Sequence, residues 1–130
     1  MSFLRALLSL HLYVKPVSNF KSQISNHNMS KKLKTGIIGL GRIGQIHLSN
    51  LLYHTPGAEV VIASDVSATA HEAAKKAGIS ATTSAGEVIV HPEVEAVIIC
   101  APTPQHVPYT IAAAEAKKHI FCEKPLDVTV

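Results

Sequence analysis

Tryptophan is absent from this chain of 130 residues, and the other aromatics are three tyrosines and three phenylalanines. Nucleic-acid grooves set aromatic platforms along a basic face, and no such interleaving occurs here. Cysteine is scarce too. Cys100 and Cys122 stand apart, with no CxxC pair, which excludes a disulfide framework and a thiolate zinc site. Both end apolar runs, VIIC and HIFC, and read as small buried thiols in a reducing compartment. A bond between them would need neighbouring strands with facing side chains. The eight histidines show no HxxxH or HExxH spacing, so no metal site is expected.

Acidic residues are missing from the first 34 positions, which carry Arg5, Lys15, Lys21, Lys31, Lys32 and Lys34. From residue 35 onward, acids outnumber bases by nine to six. The formal charge of +3 therefore reports a tail and not a nucleic-acid face. Phe3 to Val14 is apolar nearly all round, yet too short for the roughly 20 residues a bilayer span needs. The following KPVSNF offers no good signal-peptide cleavage site. Two readings of residues 1–28 stand. They form a mitochondrial presequence, short of acids but poor in amphipathicity, or Met29 is the true start. The expected location is cytoplasmic, or mitochondrial if residues 1–28 are a genuine presequence. Residues 1–33 are expected to be a disordered or targeting-like extension.

Hydrophobic residues at 47% and charged residues at 16% favour a packed core in the remainder. Short apolar runs alternate there with helical segments. Strands are predicted at Lys34–Gly39, Glu59–Ser64, Ile79–Thr82, Glu95–Cys100 and Ile120–Cys122. Helices are predicted at Arg42–Tyr53, at Ala68–Ala77 with Gly78 as C-cap, after a Ser84/Glu87 capping box, and from an N-cap at Thr103 to about Lys117. Alternation with short connections implies an α/β fold, a doubly wound parallel sheet of the Rossmann type over residues 34–130.

One motif in this frame carries chemistry. Gly39-Leu40-Gly41-Arg42-Ile43-Gly44 follows a predicted strand and opens a predicted helix, the context a dinucleotide fingerprint requires. Gly39 permits the tight turn, Gly41 admits the pyrophosphate to the backbone, and Gly44 lets helix and strand pack closely. The helix start at Arg42, Ile43 and Gly44 offers free N–H groups to phosphates. Asp65 ends the second strand, where an acid accepts bonds from the adenosine ribose. Its charge opposes a 2′-phosphate, so NAD is expected over NADP. The competing reading makes Asp65 a surface residue capping the next helix together with Ser67.

Three elements together resemble the N-terminal domain of the glucose–fructose oxidoreductase/inositol dehydrogenase (Gfo/Idh/MocA) family. They are the glycine loop followed by His47, the turn Ala101-Pro102-Thr103-Pro104-Gln105-His106, and Glu123-Lys124-Pro125. The resemblance implies an NAD(P)-dependent oxidoreductase acting on a sugar, polyol or related alcohol. It casts Lys124 as the catalytic lysine that reaches the reacting hydroxyl and the nicotinamide. Ala101, Pro102, Thr103, His106, Glu123 and Lys124 then line the cofactor, with Cys100 near the nicotinamide side and Pro125 in a cis peptide. His106 either faces the cleft or merely starts a helix, and His47 is read as structural, behind the glycine loop.

Two departures from the family pattern stand out. Lys117-Lys118 replaces a glycine at the end of the fourth helix, where a left-handed residue other than glycine costs about 1 kcal/mol. The family's C-terminal α/β substrate domain is expected to be lacking. The sequence thus leaves three readings: the cofactor domain of an enzyme, a non-catalytic dinucleotide-binding module, or an inert truncated product. Expected partners are a dinucleotide and, where a second domain is present, a small polyol or sugar substrate. No nucleic acid and no membrane span are expected, and a homo-oligomer of the full-length form stays open.

Overall fold

The computed structural model describes residues 31–127. The expectations for residues 1–30 lie outside the described residues. In chain order the elements are β1 (Leu33–Ile38), α1 (Arg42–Tyr53), β2 (Ala58–Ser64), α2 (His71–Lys76), β3 (Ser80–Thr82), α3 (Ala85–Val90) and β4 (Ala96–Ile99). A 3-10 turn (Thr103–Gln105) then leads into α4 (His106–Glu115) and β5 (His119–Cys122). The strands form one sheet in the order β3-β2-β1-β4-β5, and every neighbouring pair is parallel. This is the doubly wound arrangement expected from the alternation of elements.

Successive side chains of a strand point to opposite faces, so a strand covered on both sides must be apolar at every position. The end of β1 meets that demand with Ile37 and Ile38. Ile37 packs with Leu48 of α1, Ala74 of α2 and Ile98 of β4. Ile38 packs on the other face with Val88 of α3, Ala113 of α4 and Val97 and Ile99 of β4. Residues as buried as these each contribute about 1.5–3 kcal/mol. Between Thr35 and Gly36 the register against β2 slips by one residue, from Val60 to Ile62. This bulge lets Val60 and Ala63 serve one core while Val61 and Ile62 serve the other. The two cysteines divide in the same way. Cys100 packs against the α1/α2 core and Cys122 against the α3/α4 core, so neighbouring strands carry them without a disulfide and both are free thiols.

The helix ends show where local signals held and where they gave way. Gly78 follows α2 at φ +73. Its N–H donates to Lys75 O at 2.9 Å and that of Ile79 to Ala74 O at 2.9 Å, a Schellman ending. Lys117 closes α4 in the same way at φ +58, with Lys117 N–H on Ala114 O and Lys118 N–H on Ala113 O. The left-handed position anticipated at Lys117-Lys118 is therefore occupied by a residue that carries a Cβ. Helix α2 starts three residues later than expected, because 67–70 fold into tight turns and the buried His71 ring donates from Nε2 to Asp65 O at 2.7 Å. Thr103 is not the N-cap of a long helix. Pro102 precedes a 3-10 turn in which Thr103 is the first residue and caps nothing with its side chain, and α4 stops at Glu115. The Ser84/Glu87 box is half made. Ser84 Oγ accepts from Glu87 N at 3.3 Å, while Ser84 N donates to Thr82 Oγ1 at 3.1 Å in place of the Glu87 carboxylate.

Candidate functional site

The strand order reverses beside β1, since the chain moves outward to β2 and β3 and then crosses back to β4. Ligands of open α/β sheets collect at such a reversal, beyond the carboxyl ends of the strands. A cleft of about 320 Å³ lies there. Gly39 beyond β1, Asp65 beyond β2, and Ala101 and Pro102 beyond β4 form its walls, together with Val66 and Tyr109.

The three motif glycines are required for three different reasons. Gly39 sits at φ +94, and a Cβ there would come 2.7 Å from the Cys100 carbonyl carbon and oxygen. A Cβ on Gly44 would come 1.9 Å from Gly39 O, so α1 can lie against the turn only without a side chain. Gly41 is different. Its φ of −65 suits any residue, and among the described residues, its chain neighbours aside, no atom lies within 4 Å of its Cβ position. Among the described residues no packing contact calls for glycine at 41. The space beside it is open, and Gly41, Arg42 and Ile43 are all exposed.

Helix α1 starts at this loop with no side-chain cap and no acid in its first turn. Its first N–H groups lack intrahelical partners, and the helix dipole places partial positive charge there. An anion of phosphate type fits this end. Asp65 is engaged from both sides. Its Oδ2 accepts from Leu40 N at 2.7 Å, inside the glycine loop, and its Oδ1 accepts from Ser67 N at 2.8 Å. Each carboxylate oxygen retains a lone pair for a further donor. The carboxylate does not cap α2, whose N-cap is Ala70; it braces the glycine loop, a task the sequence did not reveal.

The segment after β5 carries Glu123, Lys124 and Pro125, and the Lys124–Pro125 peptide is cis, as the resemblance implied. Lys124 is exposed. Glu123 does not point freely toward a ligand: its Oε1 accepts from His47 Nε2 at 2.6 Å and its Oε2 from Lys124 N at 3.3 Å. The His47 hydrogen bond holds the Glu123 carboxyl below its ordinary value of 4.5. His47 also meets Phe121 edge-on, with ring centroids 5.2 Å apart, so it joins α1 to β5 as well as backing the loop.

His106 departs from the expectation of a cleft-facing residue. It begins α4, but it is only 2% exposed, and both ring nitrogens meet main-chain carbonyls, Pro125 O and Ala101 O, each at 2.7 Å. Its ring has no atom free for a cofactor. Cys100 is pushed up to about 12, first by burial and then by the charge of Glu123, so its thiol stays protonated and is a poor nucleophile. Residues that sequence reasoning missed include Val66, Thr83 and Tyr109 on the cleft wall. They lie outside any motif, and only the crossover of β3 to β4 brings them together.

Fold and cleft define a Rossmann-type dinucleotide-binding domain, and comparison with known proteins places it further. Residues 33–130 match the model of the Gfo/Idh/MocA oxidoreductase family, NAD-binding Rossmann fold. The chain belongs to this family. It is 39% identical over 99 residues to a myo-inositol 2-dehydrogenase of Thermotoga maritima, covering 75% of this chain and 30% of that protein. It is 38% identical over 104 residues to the NAD(+)-dependent scyllo-inositol 2-dehydrogenase of Bacillus subtilis, covering 78% and 30%. Among solved structures, the scyllo-inositol dehydrogenase of Lactobacillus casei with bound NAD(H) and scyllo-inositol superposes with a TM-score of 0.70 at 33% identity, covering 76% and 30%. The chain thus spans about 30% of the length of these relatives. Among the described residues no helix is long and apolar enough to cross a membrane.

Proposed function

We propose that this chain is the NAD-binding part of an oxidoreductase that exchanges a hydride with a polyol or sugar hydroxyl. The observation that carries the reading is Gly41, a glycine that neither backbone conformation nor protein packing requires. It stands at the start of an uncapped helix and opposite an acid at the end of β2. The diphosphate fits over Gly41 and the N–H groups of Arg42, Ile43 and Gly44, where a side chain at 41 would occupy its place. Asp65 accepts from the ribose hydroxyls, and its charge disfavours a 2′-phosphate, so NAD is preferred to NADP. Ala101, Pro102 and Thr103 form the wall toward the nicotinamide.

When bound, the dinucleotide supplies the hydride acceptor or donor. Lys124 supplies charge. Hydride leaving a carbinol carbon makes the oxygen alkoxide-like, and an ammonium beside it lowers the energy of that developing charge. The chain matches about 30% of the length of its relatives, and further residues that hold a polyol against this lysine are sought in the part of those relatives it does not match. A non-catalytic dinucleotide-binding module shares the first half of this reading and differs only in having no substrate for Lys124.

Fluorescence titration of the 130-residue chain with NADH and NADPH tests the proposal. Tighter binding of NADH is expected, with the preference narrowing in Asp65→Ala. Equal affinity for the two cofactors in the unaltered chain would reject NAD selectivity, and absence of binding at millimolar NADH would reject the site.

A further inference from the structure

The residues on either side of Lys124 are each held by a histidine from a different helix. On one side, His47 of α1 donates to Glu123 Oε1, and the other oxygen of that carboxylate accepts the N–H of Lys124 itself. On the other side, His106 of α4 meets Pro125 O through Nδ1 and Ala101 O through Nε2, each at 2.7 Å. A carbonyl oxygen can only accept. A neutral imidazole has one N–H and one lone pair, so it can satisfy one of these two carbonyls and must oppose its lone pair to the other. Only the doubly protonated ring donates to both. That ring is 2% exposed, so water cannot easily replace the missing donor.

We propose that His47 and His106 form a two-point clamp on Glu123-Lys124-Pro125, and that the His106 point closes only with both ring nitrogens protonated. They are positioning residues: neither presents a free atom to a ligand, and each acts through the main chain or side chain next to Lys124. The clamp ties Lys124 to both sides of the cleft. His47 lies one turn into the helix that starts at the glycine loop, and Ala101 is on the cleft wall. Deprotonation of His106 opens the contact to Pro125 or to Ala101 and loosens the lysine from the β4 wall.

The ionisable groups on segments packed around His106 are few. They are Cys100 after β4; His119, Cys122, Glu123, Lys124 and Asp127 on and after β5; Tyr109 and Glu115 along α4; and Glu87 on α3. The Glu123 carboxylate is occupied by His47, and the Cys100 thiol stays neutral until strongly alkaline pH. The hydrogen bonds of the His106 ring nitrogens are those to the two carbonyls, Pro125 O and Ala101 O.

The inference rests on the role assigned to Lys124, but its test does not use a cofactor. Imidazole 1H–15N spectra of the full chain are recorded from about pH 5 to about pH 9, the span in which histidines change charge. Amide shifts and order parameters of Lys124 and Leu126 are followed in the same samples. The expected result is a His106 ring with both nitrogens protonated at the acid end. As it loses its proton, the Leu126 amide, which shares a peptide unit with Pro125 O, shifts with the same midpoint. The Lys124 order parameter then falls from about 0.85 toward about 0.6. In a second series carried below pH 4.5, His47→Gln should raise the midpoint at which the Lys124 amide follows Glu123, and an unchanged midpoint overturns the His47 point. A His106 ring that keeps one bare nitrogen throughout, or Leu126 and Lys124 amides that ignore its titration, overturns the clamp. These spectra come chiefly from the unaltered chain, so a misfolded variant does not obscure the outcome. NADH titration of the same samples separates the two claims: binding without the titration sinks the clamp alone, and the titration without binding sinks the cofactor site alone.

Discussion

At the amino ends of the strands, charged side chains close on one another and on the main chain; at the carboxyl ends, main chain is left bare. Lys34 of β1 bonds Glu93, and Lys31 bonds Glu95 at 3.0 Å, while Glu95 also accepts the Lys34 N–H at 3.0 Å. Lys118 reaches across to His91 O and Val94 O at 2.9 and 2.7 Å. These contacts tie β1, the approach to β4 and the approach to β5 together. At the opposite end the same strands run into a loop of glycines, an acid that keeps acceptor capacity, and a lysine exposed to solvent. One end commits its charges to the fold. The other ties Asp65 and Glu123 into the fold as well, but leaves the start of α1 and the Lys124 side chain exposed, which is why substitutions at the two ends should be read out by different measurements.

The sharpest break in this contrast lies within the glycine loop itself. Gly44→Ala sets a Cβ against Gly39 O, a backbone atom that cannot step aside, and should cost about 3 kcal/mol of stability in a thermal or urea melt. Gly41→Val should cost that melt no more than about 1 kcal/mol, the loss of a favourable N-cap, yet weaken NADH at least about a hundredfold, roughly 2.8 kcal/mol. If both variants lose stability alike, the distinction between the two glycines fails. Lys117→Gly relieves a left-handed Cβ far from the cleft and should stabilise by about 1 kcal/mol with NADH affinity unaltered; a neutral or lower melting temperature would count against that strain.

The smallest effects concern pH. Glu93 is lowered by its bond to Lys34, Glu95 by the Lys34 N–H, and Glu123 by His47. Their folded values lie below the ordinary 4.5, so the stability they lend is present above 4.5 and is lost as pH falls through the lowered values. Cys100 runs the other way. Its folded value is raised from 9.0 to about 12, so its contribution is intact below 9.0 and drains as pH climbs toward 12. Urea midpoints measured from acid to alkali should decline at both extremes, with Cys100→Ala flattening only the alkaline limb.

Much of the fold was legible because its signals are local. The bounds of α1 could be read from the spacing of Ile43, Ile46, Leu48, Leu51 and Leu52 between a glycine loop and Thr55-Pro56-Gly57. Gly78 marked the end of α2, and Lys117-Lys118 marked a left-handed position without glycine. Where local signals competed, packing chose between them: buried His71 moved the start of α2, and the turn at 102–105 removed Thr103 from a capping role. The site was legible only at its motif. The bond from Leu40 to Asp65 spans 25 residues, that from His47 to Glu123 spans 76, and the His106 ring reaches 19 residues ahead to Pro125. No periodicity or spacing rule carries such pairings.

By itself, the order of residues determined the alternation of strand and helix, the glycine loop, and the acid and lysine that follow later strands. Each depends on neighbours within a few positions, through backbone conformation and the burial of a repeating face. Only the tertiary structure decided that the space beside Gly41 is open among the described residues, that Asp65 braces the loop it faces, and that His106 turns inward to two carbonyls. Those outcomes depend on distances between segments remote along the chain, which become defined only when the sheet closes and both cores are packed.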